Sequence, residues 1–294
     1  MANSIGQVGV ILLLIVSLVL AGDFHFPDKA QLELSDVLNK NCGDTAFMDR
    51  VRPPESRLQE TPWLALFYYP EDAVHFCHGT LITTSHVLTT AVCASNMVAN
   101  ESEVSLGEYD LGTDQDCEET KCSDATVRRR VQQVFSHQGY NQDSFENDIA
   151  VVQLDREVAL SDSIKPICLP LLKFEVGKVN LPFVYNTLWT SKPRPQQYWM
   201  RYVELEACRA QIGHKIDLNE GQICAGSYTN QIIEMVGGAG SALEVEYHDR
   251  FYQVAMLSIG LLDAEPGTPY VYVDIPRYIT WIHDTVKNST EAEN

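Results

Sequence analysis

Apolar positions in this chain fall into strand-length blocks. From Pro62 to Ile82 apolar and turn residues alternate, and runs rich in Val, Ile and Thr recur at Thr80–Val92, Ile149–Leu154, Val254–Leu262 and Tyr270–Ile275. Clusters of Gly, Pro, Asn and Asp separate them, a pattern that predicts an all-β sandwich or barrel. The end of the chain differs. Tyr278, Trp281, Ile282 and Thr285 fall on one helical face, which predicts a single C-terminal helix docked on the sheets, with 288–294 as a loose acidic tail. No internal repeat of short period and no low-complexity linker interrupts the pattern.

The first 22 residues carry no charged side chain, and Val8–Leu20 is almost entirely apolar. That run is short of the roughly 20 residues a membrane-spanning helix needs, and it suits the apolar centre of a signal peptide ending near Ala21 or Gly22. No second apolar run is long enough to span a membrane. The expected organisation is a signal peptide over 1–22, a short polar lead segment over 23–50, and one large domain over 51–287, in a secreted, extracellular protein.

Charge and cysteine usage narrow the classes further. A formal charge of −19 argues against nucleic acid or an anionic membrane as partner, since both are bound by clustered Lys and Arg. The eight cysteines are Cys42, Cys77, Cys93, Cys117, Cys122, Cys168, Cys208 and Cys224. An even count after a signal peptide reads as disulfides. No Cys-x-x-Cys pair and no paired-His spacing points to zinc, so no metal site and no cofactor is predicted. Asn100-Glu101-Ser102 and Asn288-Ser289-Thr290 are N-glycosylation sequons, which makes Asn100 and Asn288 candidate modified residues.

Three landmarks carry the chemistry. Thr89-Thr90-Ala91-Val92-Cys93, Asn147-Asp148-Ile149-Ala150 and Gly237-Gly238-Ala239-Gly240-Ser241 occur in the order and near the spacing of the chymotrypsin-like serine proteases. Phe76-Cys77-His78-Gly79-Thr80-Leu81-Ile82, Pro166-Ile167-Cys168-Leu169-Pro170 and Gln222-Ile223-Cys224-Ala225-Gly226 add to the likeness, as do Pro62-Trp63-Leu64 and Trp281-Ile282. Gly107-Glu108-Tyr109-Asp110-Leu111, followed by Cys117 and Cys122, resembles the small cysteine loop of arthropod clip-domain proteases. The chain is similar to a clip-family serine protease homologue whose clip module is missing or reduced, because only Cys42 precedes the protease-like region.

The resemblance implies a double β-barrel with a C-terminal helix. It also implies the pairs Cys42–Cys168, Cys77–Cys93, Cys117–Cys122 and Cys208–Cys224. A further bridge usual in the family is missing, with Met235 at its first position. The catalytic positions, on the same grounds, are Val92, Asp148 and Ala239. The family places an imidazole at the first and a hydroxyl at the third, where this chain has neither. A hydroxyl made nucleophilic by an imidazole, itself oriented by a carboxylate, is what peptide hydrolysis on this scaffold requires. Ile233 stands where trypsin-like members keep a pocket carboxylate, and Gly238 where they keep the aspartate that meets a newly cut N-terminus. Arg50–Val51 is a possible cleavage site for a trypsin-like enzyme.

Other residues are candidates to replace the lost groups. His75, His78 and His86 lie near the former base, with His86 read as a surface or partly packed side chain. His78 replaces a family glycine and is expected to fill part of the cleft. Ser241 is two residues past Ala239, roughly 6–7 Å of chain, and the nucleophile must sit at one sharp turn.

The expected function is a non-catalytic regulator or cofactor in an extracellular immune protease cascade of the kind that drives melanisation. The resemblance implies cascade proteases or prophenoloxidase as partners. A second reading is a recognition or adhesion protein for microbial or cell surfaces, with Tyr198-Trp199-Met200 and Trp189 as candidate contacts and core packing as their ordinary alternative. A third, an active hydrolase, is separated by labelling with a fluorophosphonate.

Overall fold

The computed structural model describes residues 34–292 apart from 48–51, 53, 70–74, 172–183, 230–231, 234–236 and 262–263. The signal segment, the Arg50–Val51 bond and Met235 therefore lie outside the described residues. Strands β1 (Leu64–Tyr68), β2 (Cys77–Leu81), β3 (His86–Thr89) and β4 (Glu103–Leu106) are followed by the small hairpin β5 (Cys117–Glu118) and β6 (Lys121–Cys122). With β7 (Val127–Ser136) and β8 (Ala150–Leu154), the first four close a barrel in the order β1-β2-β3-β8-β7-β4. A second closed barrel runs β10-β11-β14-β13-β12-β9, from β9 (Val184–Leu188), β10 (Gln196–Val203), β11 (Gln222–Ser227), β12 (Ala242–Glu246), β13 (Phe251–Ile259) and β14 (Tyr270–Asp274). The expected double barrel is what the chain forms.

The continuous apolar runs have a simple cause. Side chains alternate across a strand, and several of these strands are buried on both faces. In β1, Ala65 and Phe67 point into the first barrel, while Leu64, Leu66 and Tyr68 join the core between the two barrels. β3 divides likewise, with Val87 inside and Leu88 in the shared core. That shared core also takes Trp189, Phe251 and Met256 from the second barrel, and Ile279, Ile282 and Val286 from the C-terminal helix.

Four disulfides fasten the frame: Cys42–Cys168, Cys77–Cys93, Cys117–Cys122 and Cys208–Cys224, and the described residues hold no free cysteine. Cys42–Cys168 ties the end of the lead segment to the body across 126 residues. No helix of the described residues is long and apolar enough to cross a membrane.

The chain end corrects one expectation. Helix α3 spans Ile279–Glu291, so most of the expected loose tail is helical. Ser289 continues the buried face begun by Ile279, Ile282 and Val286; its hydroxyl donates to the Val286 carbonyl at 2.9 Å and lies 2.8 Å from His86 Nε2. A polar residue thus extends an apolar stripe because a polar partner waits opposite it. His86 is corrected with it. It is buried, with Nδ1 at 2.9 Å from Thr83 Oγ1 and 3.1 Å from Ser85 Oγ, and burial lowers its pKa to about 4. Asn288 lies on the exposed face of α3, and Asn100 lies exposed in a loop with φ +64°.

Candidate functional site at the barrel interface

The three landmark segments meet between the barrels. Helix α1 (Ala91–Ala94) starts at Thr90, whose hydroxyl caps it by accepting from Cys93 N at 3.2 Å. This turn presents its free N–H groups to Asp148. Asp148 Oδ1 accepts from Val92 N at 2.8 Å, and Ala91 N adds a further bond. Oδ2 accepts from Ser258 Oγ at 2.5 Å. Ser258 is aimed there by a break in register of the β13–β14 ladder between Leu257 and Ile259, the way a bulge re-aims a side chain. Asp148 is fully buried, and that burial outweighs its hydrogen bonds and raises its pKa to about 6. Its neighbour on α1 is the partly buried Val92, which offers neither lone pair nor proton.

Histidines are nearby but otherwise engaged. His78, fully buried on β2, donates from Nδ1 to the Gly237 carbonyl at 2.8 Å and accepts at Nε2 from Trp189 N at 3.0 Å. Both ring nitrogens are used, which fixes one neutral tautomer. Burial, with His75 beside it, pulls the pKa down to about 3. The ring stacks on Trp189 with centroids 6.1 Å apart. His78 therefore joins the first barrel to the second at the floor of the cleft. His86 points away to α3, as described above.

The third landmark is a tight turn packed on β2. His78 N donates to the Ala239 carbonyl at 2.9 Å, and Gly240 N donates to Leu257 O at 2.9 Å. Gly240 has φ +90°, and a Cβ there would sit 1.9 Å from the His78 carbonyl oxygen, so only glycine fits. The methyl of Ala239 packs against the first barrel's core. Ser241 faces inward instead, bonded to Asn186 Nδ2 at 3.0 Å and fully buried. The arrangement gathers Val92, Asp148 and Ala239 around the two barrels' junction, with the Asp148 carboxylate bonded to the Ser258 hydroxyl and to the N–H groups of α1.

Ile233, expected at a pocket position, lies in the core of the second barrel. Ile233 is buried, and the Tyr270 hydroxyl bridges its main chain, accepting from Ile233 N and donating to Ile233 O, each at 3.0 Å. Both residues pack in the second barrel's core with Met200 and Leu257. Sequence reasoning missed Tyr270, which read only as part of a strand. The only signal in the sequence was a bulky phenol directly after the Pro266-Gly267-Thr268-Pro269 turn. Of the aromatic candidates for surface recognition, Trp189 is buried, as is Met200; Tyr198 and Trp199 are half-buried. A cavity of about 530 Å³ lies elsewhere, between α3 and the β2–β3 turn, lined by Lys40, His86, Glu157 and Lys287 among others.

A two-barrel fold with these landmarks at its interface is that of a serine protease, and comparison bears this out: the family model described as trypsin matches residues 51–282, so the chain belongs to the trypsin family. Among relatives, CLIP domain-containing serine protease B4 of Anopheles gambiae is 29% identical over 263 residues, covering 84% of this chain and 72% of its own. Phenoloxidase-activating factor 3 of Holotrichia diomphalia is 29% identical over 278 residues, covering 89% and 76%. The crystal structure of the Drosophila Grass clip serine protease of the Toll pathway superposes with a TM-score of 0.74 at 24% identity, over 85% of this chain and 75% of that one, a likeness of fold.

Proposed function

We propose that this chain is a secreted, non-catalytic serine protease homologue that regulates or assists an extracellular immune protease cascade, with a cascade protease or prophenoloxidase as its partner. One observation carries the reading. Asp148 stands at the expected carboxylate position with a hydroxyl neighbour, both of its oxygens are spent on Ser258 and the N–H groups of α1, and the two other expected positions carry Val92 and Ala239. Loss of the hydroxyl–imidazole unit removes on the order of a million-fold in rate. A fold that keeps its barrels and gives up its nucleophile retains surface loops with which to hold a partner uncut. The relatives named for clip-domain proteases and for phenoloxidase activation supply the cascade.

Two measurements test this. A fluorophosphonate probe leaves the purified protein unlabelled; labelling at any serine defeats the non-catalytic reading. Phenoloxidase activity is then followed in microbially challenged insect plasma depleted of the protein and resupplied with it. A dose-dependent change places it in the cascade and its direction gives the sign. No change moves the assignment to surface recognition.

A further inference from the structure

Immediately downstream of the Arg50–Val51 bond lies a buried cation that no part of the cleft uses. The Arg52 side chain is 1% exposed. Its Nη1 donates to Glu244 Oε2 at 3.1 Å, and its Nε is 3.8 Å from Glu60 Oε1. The guanidinium carbon lies 4.0 Å over the Phe251 ring and 5.1 Å from that of Tyr185, so the plane is sandwiched as well as paired. The socket is built rather than incidental. Glu244 Oε1 accepts from Trp63 Nε1 at 2.9 Å, and Glu60 Oε2 accepts from Arg57 N at 2.8 Å, so each carboxylate is oriented by a second donor.

The chain that follows is fastened to the second barrel: Gln197 N donates to Pro54 O at 2.7 Å and Ser56 N to Pro195 O at 2.9 Å. On the upstream side an independent set of bonds does the same. Cys42 is bridged to Cys168, Arg250 Nη1 donates to the Cys42 carbonyl at 2.9 Å, and Gly43 N donates to Pro166 O at 2.8 Å.

We propose that Arg52 is a latch: in the uncut chain its guanidinium, seated between Glu244 and Glu60, already holds the start of the protease-like body in its final position. A cut after Arg50 then changes connectivity and leaves the body as it was. The physical reason is the cost of withdrawal. Pulling Arg52 out leaves the buried Glu244 carboxyl without its cation and with only the Trp63 donor, far more costly than leaving the pair in place. A new terminus at Val51 is a single residue from that anchor, about 3.5 Å of chain, so its travel is limited by where Arg52 is held. The upstream end stays with the body through Cys42–Cys168. The inference is independent of whether the cleft is catalytic.

Hydrogen exchange at the Ser56 and Gln197 amides, in full-length protein uncut and cut after Arg50, reads the latch directly. The parent protein is expected to give the same exchange in both forms to within about twofold, whereas Arg52→Ala speeds it about tenfold or more in both. Arg52→Lys, which keeps the charge and the fold but loses the planar fork, gives an intermediate acceleration, so the test survives if Arg52→Ala does not fold. A tenfold or greater change on cutting the parent overturns the proposal. Unchanged exchange in Arg52→Lys and in any Arg52→Ala protein that folds overturns it as well.

Discussion

The two barrels share a topology and differ in what they bury. The first barrel is filled by apolar side chains such as Phe67, Leu81, Val104, Leu106, Val131 and Val152, and the polar residues its strands bury include Thr80, Thr89, Ser105 and Gln153. Inside the second, Asn186 donates to Ser241 Oγ at 3.0 Å and to Ala242 O at 2.8 Å, and accepts from the Tyr272 hydroxyl at 3.0 Å. Its β12 carries the fully buried Glu244, and its β13 the buried Gln253, which accepts from Thr80 Oγ1 of the first barrel at 2.5 Å. The second barrel thus adds to its apolar packing a hydrogen-bonded network centred on Asn186. Apolar contacts are forgiving of substitutions that conserve volume, whereas a buried polar network loses most when it is left half satisfied.

The largest contrast is expected between matched core changes. Asn186→Leu orphans the Tyr272 and Ser241 hydroxyls and is expected to cost about 1–3 kcal/mol for each group left unpaired. Leu106→Met in the first barrel is expected to cost under about 1.5 kcal/mol. Urea unfolding of both variants, with parental slopes, measures the difference; equal costs erase the distinction between the barrels.

A smaller effect of opposite sign is expected at Asp148. Its pKa is raised to about 6 from 3.8 by burial, so the folded state holds the proton more tightly than the unfolded state does. The stabilisation from that proton is complete below the unfolded value and is lost as pH rises through about 6. Asp148→Asn, which can still accept from Val92 N, is therefore expected to stabilise the protein by about 1–3 kcal/mol near pH 7.5 and by nothing measurable below the unfolded pKa. Melting temperature followed against pH for the two proteins checks it. A variant that is less stable at neutral pH shows that the charge is wanted where it sits.

The smallest effect is expected from the change that looks most consequential. Restoring Val92→His and Ala239→Ser in one chain is expected to leave peptide cleavage within roughly tenfold of the parent, because rate depends on the whole constellation and its binding site together. Ile233 stays buried with Tyr270 bonded to its main chain, and both ring nitrogens of His78 stay engaged. Robust turnover of a Lys or Arg peptide by the double variant would show that only two atoms' worth of machinery had gone.

How far the sequence carries these conclusions depends on the distance over which each is decided. Strand blocks, the C-terminal helix and the three landmarks are local patterns, and they were legible. Local reading failed where a polar residue finds its partner far along the chain. Arg52 pairs with Glu244 across 192 residues, His78 with Gly237 across 159, and His86 with Ser289 across 203. A charged or polar residue read alone is assigned to the surface, and only for His78 did the surrounding motif point into the cleft. Tyr270 escaped for the opposite reason, since an aromatic in a strand is ordinary and only its hydroxyl's reach to Ile233 sets it apart.

The docking of α3 has a bearing on the order in which the molecule is made. Its buried face covers the wall of the first barrel, and Ser289 closes on His86. That part of the barrel wall therefore stays open until the chain has been made past Val286 and Ser289. Contacts of such long sequence separation form late and slowly, and surface left waiting for them is prone to aggregate. A nascent chain stalled short of α3 would lack the part of the cover over Leu88, Ile149 and Val151 that this helix supplies.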